Sequence, residues 1–333
     1  MLGHLKMKDP TVTLNRRQLI ASSLAAGLAP GFAHAAYPAD KKVTVIVPFP
    51  PGGRTDLMAR LLVQNISKHM SQSVVIMNKP GAGGAIGAKE VAAAAPDGYT
   101  LGVFSTAVVT AQYTLATAAN LREFVAVRTV NLDPMALAVK ADAPWKTLRE
   151  LVDYGGKNPG LLRVGMINAA SAEIFAAAFA NSSRIKVLMV PFKGDADGAL
   201  ALAGGHIDVH VAVPASYKAL MDGNKVRVLG IAAEQRSSVY EGMPTFRDNG
   251  VDLVIGSFHM LFAPRRTPPD VLRLLEDAAG KAMREGDLIK QMEGASLGYA
   301  NLNMKETETL LAQQDAIYRK VIEDAGLLVP SKS

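Results

Sequence analysis

Short apolar runs and amphipathic segments alternate along this chain from residue 43 onward. The first runs, at 43–47, 74–77 and 99–104, are mostly apolar, and the segments that follow the first two have helical periodicity. Near-continuous apolar strands separated by helices are typical of a parallel sheet that is covered on both faces. The alternation therefore predicts an α/β fold.

The same alternation continues toward the end of the chain. Further strands are predicted at 135–139, 161–164, 186–191, 207–213, 226–231 and 259–263, and helices at 85–95, 171–179, 195–203, 216–221, 270–284, 287–293 and 305–324. A length of 333 residues, of which 49% are hydrophobic, exceeds one typical domain and predicts about two.

Residues 1–35 have the pattern of a cleaved export signal. A basic start that includes Arg16 and Arg17 is followed by an apolar run at 19–28 and by the small-residue sequence Ala33-His34-Ala35. The apolar run is about half as long as the roughly 20 residues that span a bilayer. We expect cleavage after Ala35 and a periplasmic protein, and the paired arginines indicate the twin-arginine route.

Composition argues against nucleic-acid binding and thiol chemistry. Loss of residues 1–35 removes four basic side chains and one acidic side chain, so the formal net charge falls from +6 to +3. No long basic run remains, and aromatic residues make up only 6% of the chain. Since the chain has no cysteine, disulfides and thiolate sites are excluded.

Two turns rich in proline and glycine stand between an apolar run and a helical segment. They are Pro48-Phe49-Pro50-Pro51-Gly52-Gly53-Arg54-Thr55-Asp56 and Lys79-Pro80-Gly81-Ala82-Gly83-Gly84. Thr55 or Asp56 is expected to cap the helix that follows the first turn. Turns at the carboxyl ends of parallel strands expose backbone N–H groups where an anion can bind. The pair therefore predicts a small-anion site at one edge of one sheet.

Three other motifs point to different chemistry and are weaker. Residues 81–87 miss the dinucleotide fingerprint by one position, so no cofactor is expected. Gly294-Ala295-Ser296-Leu297-Gly298 matches the nucleophile-elbow pattern, but that pattern needs a strand before the serine, and a helix is predicted there. His206, Asp208 and His210 alternate along a predicted strand and lack a convergent further ligand, so no metal is expected.

Eight segments match one family in the same order along the chain. They are VPFPPGG at 47–53 with Asp56, NKPGAGG at 78–84, APDGYTL at 95–101, PWKTL at 144–148, VPFKG at 190–194, GGHID at 204–208, PTF at 244–246 and FAP at 262–264. In these segments the chain resembles the Bug family, the periplasmic solute receptors of tripartite tricarboxylate transporters. The matches span roughly residues 37–327.

The resemblance implies a bilobed periplasmic-binding-protein fold of type II-like topology, with two doubly wound α/β lobes joined by crossing strands. Lobe 1 would comprise 36–138 and 258–333, and lobe 2 would comprise 139–257. It implies a non-catalytic monomer that captures a small carboxylate and delivers it to integral membrane transporter subunits. The implied ligand-binding residues are Phe49, Pro51, Gly52, Gly53, Thr55, Asp56, Ala82, Gly83, Gly84, Ser105, Thr106, Asn168, Ala169 and Ser171.

The chain departs from the family pattern at three places. Arg54 replaces a small residue and could bind a second carboxylate, and Glu173 replaces a frequent histidine and could contact a cationic or hydroxyl-bearing ligand group. The turn at 165–168 lacks the usual hydroxyl donors. Two alternatives remain open: an exported α/β hydrolase that uses Ser296, and a carboxylate sensor that acts on a membrane kinase.

Overall fold

The structure is a computed structural model that describes residues 41–167, 171–236, 240–295, 297–324, 326 and 328–329. The predicted export signal at 1–35 lies outside these ranges. None of the helices within them is long and apolar enough to cross a membrane.

The described chain contains eleven strands and ten α-helices. The strands are β1 Val43–Val47, β2 Val74–Asn78, β3 Thr100–Ser105, β4 Phe124–Pro134, β5 Ala136–Lys140, β6 Leu162–Ile167, β7 Val187–Phe192, β8 Val209–Ala212, β9 Val226–Ile231, β10 Gly256–Pro264 and β11 Tyr299–Leu302. The helices are α1 Arg54–Ile66, α2 Ala85–Ala93, α3 Thr106–Thr114, α4 Leu148–Lys157, α5 Ser171–Ser182, α6 Asp195–Ala203, α7 Lys218–Asp222, α8 Pro269–Ala282, α9 Gly286–Gly294 and α10 Met304–Asp324.

The strands form two sheets, as expected for a bilobed α/β protein. The first sheet has the order β11-β4-β10-β3-β1-β2, and the second has the order β7-β6-β8-β5-β9. In the first sheet β1 pairs in parallel with β2 and β3, and in the second β6 pairs in parallel with β7 and β8. The predicted α/β fold is confirmed.

Both sheets are mixed, which corrects the expectation of parallel sheets. Strand β10 runs antiparallel to β3 and β4, and β5 runs antiparallel to β8 and β9. The reason is topological, because β4 and β5 carry the chain from the first sheet to the second and β10 brings it back. Strand β4 was not predicted, since polar residues interrupt its apolar pattern.

The passage between the sheets is tied by backbone hydrogen bonds. Met135 lies between β4 and β5, and its N–H donates to Ile255 O at 3.1 Å while its carbonyl accepts from Ala232 N at 2.7 Å. The sheets are therefore linked where β4 leaves the first sheet and where β10 re-enters it. The passage lies at residue 135, ahead of the lobe boundary placed at 138, and the division into lobes stays a prediction.

Aromatic packing holds the middle of the first sheet. Phe104, Phe124 and Phe262 are almost fully buried and come from the three neighbouring strands β3, β4 and β10. Their ring centroids lie 5.0 to 6.0 Å apart. Such pairs add directional attraction to the burial of apolar area, so they stabilise the middle of the first sheet.

Candidate functional site

The two glycine-rich turns lie side by side at the carboxyl ends of β1 and β2. Asn78, the last residue of β2, donates from Nδ2 to Phe49 O at 3.0 Å and to Asp56 Oδ1 at 2.9 Å. One amide group therefore joins the second strand to both ends of the first turn. Pro51, Gly52 and Gly53 remain exposed at its tip.

The second turn needs glycine at its last position. Gly84 has a φ of +96°, and a Cβ there would lie 2.8 Å from Val108 Cγ2 and 3.2 Å from Phe49 Cζ. Ala82 and Gly83 precede it with φ values of +46° and +61°. The left-handed backbone and the close packing bring the second turn against the first turn and against α3.

Three helix N-termini meet at this edge. Helices α1, α2 and α3 begin after Gly53, Gly84 and Ser105, and none of these N-cap positions has a side chain that caps the first turn. Backbone N–H groups in the first turn have no partner inside the helix, and the helix dipole makes them attractive to an anion. The edge has the chemistry of a carboxylate site.

Two serine and threonine side chains follow β3. Thr106 Oγ1 accepts from Phe258 N at 3.1 Å, so this hydroxyl is used to hold β10. The Ser105 hydroxyl makes no hydrogen bond to any residue in the described ranges, and the residue is 8% exposed. Thr106 is 1% exposed, so the hydroxyl of Ser105 is the more accessible of the two.

Asp56 shapes the first turn and does not cap the helix as predicted. Helix α1 begins at Arg54, before either Thr55 or Asp56, so the expected capping by these residues was wrong. The buried Asp56 carboxylate accepts from Gly52 N–H at 2.9 Å and from Arg60 Nε at 2.8 Å. Burial would raise the pKa of this carboxyl, but the hydrogen bonds from Arg60 and Gly52 hold it below the ordinary value.

A buried hydrogen-bond chain runs beneath the two turns from Thr55 to Asn131. Asn131 Nδ2 donates to Asp133 and to Gly298 O, so its Oδ1 faces His259 Nδ1, 2.7 Å away, and accepts from it. His259 Nε2 is then the acceptor, and the Thr55 hydroxyl donates to it at 3.1 Å. Thr55 can therefore offer a ligand its backbone N–H but not its hydroxyl proton.

His259 stays neutral in this chain of hydrogen bonds. It is 1% exposed, and burial lowers its pKa to about 4, with the charge of Arg54 acting in the same direction. A neutral imidazole with one donor and one acceptor nitrogen satisfies both of its neighbours.

Asp133 gathers donors from four parts of the chain. They are Arg54 Nη2 at 2.5 Å, Asn131 Nδ2 at 3.0 Å, Tyr240 Oη at 3.0 Å and Gly298 N–H at 2.7 Å. Asp133 has no solvent exposure and lies in β4, one residue before the end of that strand. The guanidinium of Arg54, predicted to bind ligand, is thus anchored by a carboxylate of the strand that leaves the first sheet.

The second sheet presents a corresponding edge at the ends of β6, β7 and β8. Asn168 and Ala169 lie outside the described residues, Ser171 begins α5, and the half-buried Glu173 lies in its first turn. The next helix, α6, begins with Asp195. The structure therefore places Glu173 and Asp195 at the starts of two helices of the second sheet.

Sequence reasoning missed Asn131, Asp133, His259, Tyr240 and Asp195. A signal was present for the first two, because Thr129, Asn131 and Asp133 alternate along one strand and so share one face. Polar residues on the buried face of an apolar strand need partners, and such a pattern predicts a hydrogen-bond network.

The competing motifs are not supported by their surroundings. Strand β8 begins at Val209, so His206 and Asp208 precede it; Asp208 binds Arg163 at 2.8 Å, and His210 Nδ1 lies 3.1 Å from the hydroxyl of Tyr217. Within the described ranges no group of three or more acidic, histidine or cysteine residues is placed to hold a metal.

The nucleophile-elbow motif lacks its strand. Ser296 lies outside the described residues, but the segment before it is helix α9, as predicted. Residues 286–294 therefore do not supply the strand that a nucleophile elbow needs before its serine.

Comparison with known proteins places the chain among solute receptors. The family model described as "Tripartite tricarboxylate transporter family receptor" matches residues 58–327. A UPF0065 protein in the TAR-I ttuE–ttuC′ intergenic region of Agrobacterium vitis is 31% identical over 287 residues, which cover 84% of this chain and 82% of that protein. A UPF0065 protein in the gbd 5′ region of Cupriavidus necator is 29% identical over 329 residues, covering 94% and 96%.

Solved structures show the same fold. A TctC solute-binding protein from Polaromonas without ligand has a TM-score of 0.81 and 31% identity, over 86% of this chain and 99% of that one. MatC from Rhodopseudomonas palustris with bound malate has a TM-score of 0.66 and 26% identity, covering 86% and 100%. Rpa4515 from the same organism with adipate has a TM-score of 0.69 and 25% identity, covering 87% and 98%.

Proposed function

This chain belongs to the family of tripartite tricarboxylate transporter receptors and is a solute-binding protein, and we propose that its ligand is a small carboxylate bound between the two sheets. The observation that carries the proposal is the meeting of three helix N-termini without side-chain caps at one edge of the first sheet. Two relatives contain carboxylates, malate in MatC and adipate in Rpa4515.

The ligand carboxylate would lie against the two turns. Backbone N–H groups of the first turns of α1, α2 and α3 and the hydroxyl of Ser105 would donate to it. Phe49 would pack on the carbon frame, and the exposed residues Pro51 to Gly53, together with Ala82 and Gly83, would form the rim.

The second sheet would complete the site. Asn168, Ala169, Ser171 and Glu173 follow β6 and are proposed to approach the ligand from that side. A ligand that contacts both sheets favours the arrangement in which the two edges are close, so binding shifts the protein toward a closed form. Lobes divided at the passage through residue 135 and at the start of β10 would move about these connections.

Membership of this family also supports a proposal for where the protein is located and what it docks on. We propose that residues 1–35 direct export by the twin-arginine route and are removed, and that the closed receptor docks on membrane transporter subunits as a monomer without catalysing a reaction. Sequencing of the mature N-terminus should begin at Ala36. Replacement of Arg16 and Arg17 by lysine should retain the precursor in the cytoplasm if the route is as proposed.

Ligand binding can be tested with the purified protein and a panel of succinate, malate, adipate, citrate and benzoate, with succinamide as the uncharged control. A carboxylate at about 100 times its Kd adds about 2.7 kcal/mol to the stability of the folded state, which should raise the Tm by several degrees. Succinamide should have no effect. A panel that leaves the Tm unchanged contradicts the proposal.

Two variants localise the effect. Ser105→Ala should weaken carboxylate binding about fivefold, as expected for one lost hydrogen bond of about 1 kcal/mol. Ser67→Ala, just beyond the other end of α1, should bind like the wild type.

The carboxylate should also be recovered unchanged after incubation, whereas turnover that is lost in Ser296→Ala would establish a hydrolase instead.

A further inference from the structure

One tyrosine that is anchored on the second sheet bonds to a strand of the first. Tyr240 lies in the segment that follows β9, and its ring packs against the apolar cluster of the second sheet, which includes Ile231. This segment is tied to the end of β9, because Ile231 N donates to Pro244 O and Ile231 O accepts from Phe246 N, both at 2.9 Å. Tyr240 Oη donates to Asp133 Oδ1, in β4, at 3.0 Å. The hydroxyl therefore links the two sheets directly.

Asp133 binds Tyr240 and Arg54 through different oxygens. Oδ1 accepts from Tyr240 Oη and from Gly298 N, at 3.0 and 2.7 Å, while Oδ2 accepts from Arg54 Nη2 at 2.5 Å. Burial and the neighbouring carboxylate raise the pKa of Tyr240 above its ordinary value, so the hydroxyl keeps the proton that it donates. One buried carboxylate therefore holds both the start of α1 and the segment after β9.

The contact depends on the absence of a side chain at Gly298. A Cβ there would lie 2.6 Å from Asp133 Oδ1 and 2.9 Å from Tyr240 Oη. These distances are shorter than van der Waals contact, so a larger residue would push the hydroxyl and the carboxylate apart. The backbone of Gly298 is not left-handed, and glycine is therefore required here by space and not by conformation.

Cavities lie on both sides of the contact. Tyr240, Gly298 and Tyr299 line a cavity of about 260 Å³ on one side. The same three residues line a second cavity of about 520 Å³, whose other walls include Met221, after β8, and Leu297, before β11. Open space on both sides leaves little close packing around the contact. Few other atoms can therefore hold the two sheets together there if the hydrogen bond is lost.

We propose that Tyr240 is a positioning residue, which fixes the second sheet relative to the first by donating to the carboxylate that also holds Arg54. Every partner in this arrangement belongs to the chain itself, so the inference does not depend on which ligand the receptor takes. Loss of the hydroxyl leaves Asp133 bound to Arg54 but allows the second sheet to take other positions. In a receptor whose ligand contacts both sheets, such a shift changes the affinity even without contact between Tyr240 and the ligand.

Distances between spin labels on the two sheets test the role of Tyr240. Since the chain has no cysteine, Lys89→Cys in α2 and Asp153→Cys in α4 supply one exposed labelling site on each side. Pulsed electron–electron double resonance on the ligand-free protein then gives the population of each separation. In Tyr240→Phe the population at the wild-type separation, relative to all others, should fall about fivefold, as expected for one lost hydrogen bond. An unchanged distribution overturns the inference.

Tyr299→Phe is the matched control. Tyr299 lines the same two cavities, and its Oη donates to Met283 O at 2.7 Å, but this bond joins β11 to the end of α8 and stays on the side of the first sheet. The variant loses a hydrogen bond of the same kind and should keep the wild-type distribution. A change as large as that in Tyr240→Phe would show that the link to Asp133 has no special role, which also overturns the inference.

Gly298→Ala disturbs the same contact without removing either partner. The added Cβ should separate Tyr240 Oη from Asp133, so the label distances should change in the same direction as in Tyr240→Phe. Gly294→Ala is its control, because no neighbouring atom lies within 4 Å of the added Cβ, and it should keep the wild-type distribution. A wild-type distribution in Gly298→Ala contradicts the proposed role. None of these measurements uses a carboxylate, so their result is independent of the test of the proposed function.

Discussion

Arg54 Nη2 lies 2.5 Å from Asp133 Oδ2, and this ion pair connects the start of α1 to the strand that leaves the first sheet. Asp133 has no exposed surface, whereas the Arg54 side chain keeps 34% of its own. The guanidinium is therefore held by a buried carboxylate while about a third of the side chain stays exposed. Its direction is set by a residue 79 positions away in the sequence.

Asp133→Asn should destabilise the protein by about 2 kcal/mol. Removal of one partner of a buried ion pair costs about 3–5 kcal/mol, and the partial exposure of Arg54 reduces this value. Urea denaturation at neutral pH measures the change in the free energy of unfolding. Asp222→Asn is the control, because the ion pair of Asp222 with Lys218 is exposed and should contribute less than about 0.5 kcal/mol. Similar losses in both variants would contradict the role of Asp133.

Thr55→Val should cost about 1–2 kcal/mol of stability although it preserves the shape of the side chain. The substitution leaves His259 Nε2 as a buried acceptor without a donor. Thr55→Ser keeps the hydroxyl and should retain most of the stability. In the wild type, nitrogen NMR should show a neutral His259 ring with the proton on Nδ1. A proton on Nε2 would show that the hydrogen-bond chain runs in the opposite direction.

Stability should decrease as the pH falls from about 6.5 toward 4. Burial lowers the pKa of His259 and of His210 from 6.5 to about 4, so between these values the unfolded chain binds more protons than the folded one. The contribution is fully present above about pH 6.5, and each histidine can account for on the order of 3 kcal/mol. Urea midpoints across this range measure the loss.

His210→Phe separates this effect from the titration of acidic residues. The variant keeps all the carboxylates, so the difference between its pH profile and that of the wild type isolates His210. The dependence between about pH 6.5 and pH 4 should weaken by on the order of 3 kcal/mol. Parallel profiles in the two proteins would show that His210 does not take part.

Gly84→Ala should destabilise the protein by about 2–4 kcal/mol. A left-handed backbone costs about 1–2 kcal/mol in a residue other than glycine, and the new Cβ would press on Val108 and Phe49 at further cost. Gly160→Ala is the matched control, because Gly160 has a φ of +80° and no neighbouring atom within 4 Å of the added Cβ. Only the backbone cost should appear there. Equal losses in the two variants would show that packing against the first turn contributes nothing.

Local sequence was sufficient for most elements. The predicted bounds of β1, β9 and α6 agree with the structure, since each has an apolar pattern of one period and is flanked by polar residues or glycine. Strand β4 was missed, because Asn131 and Asp133 break the apolar run although they are buried. A strand that leads from one sheet to the other does not need an unbroken apolar run, since the buried polar side chains of Asn131 and Asp133 find hydrogen-bond partners in other parts of the chain.

The candidate site could be predicted only in part, because several of its contacts join residues that are far apart in the sequence. The glycine-rich turns are contiguous in the sequence, so their closeness to one another follows from adjacent strands. The bonds from Thr55 to His259 and from Tyr240 to Asp133 join residues 204 and 107 positions apart. No local pattern specifies such pairs, and only the strand order of the sheet brings them together.

Assembly of the Asp133 cluster depends on nearly the whole chain. Its donors Arg54, Tyr240 and Gly298 lie 79, 107 and 165 residues from it in the sequence. Contacts across such separations close long loops and are made slowly, after local helices and neighbouring strands have formed. The ion pair of Arg54 with Asp133 forms only when α1 and the far end of β4 have come together, across 79 residues of chain. We therefore expect the two turns to form early in folding and the cluster that holds Arg54 to form late.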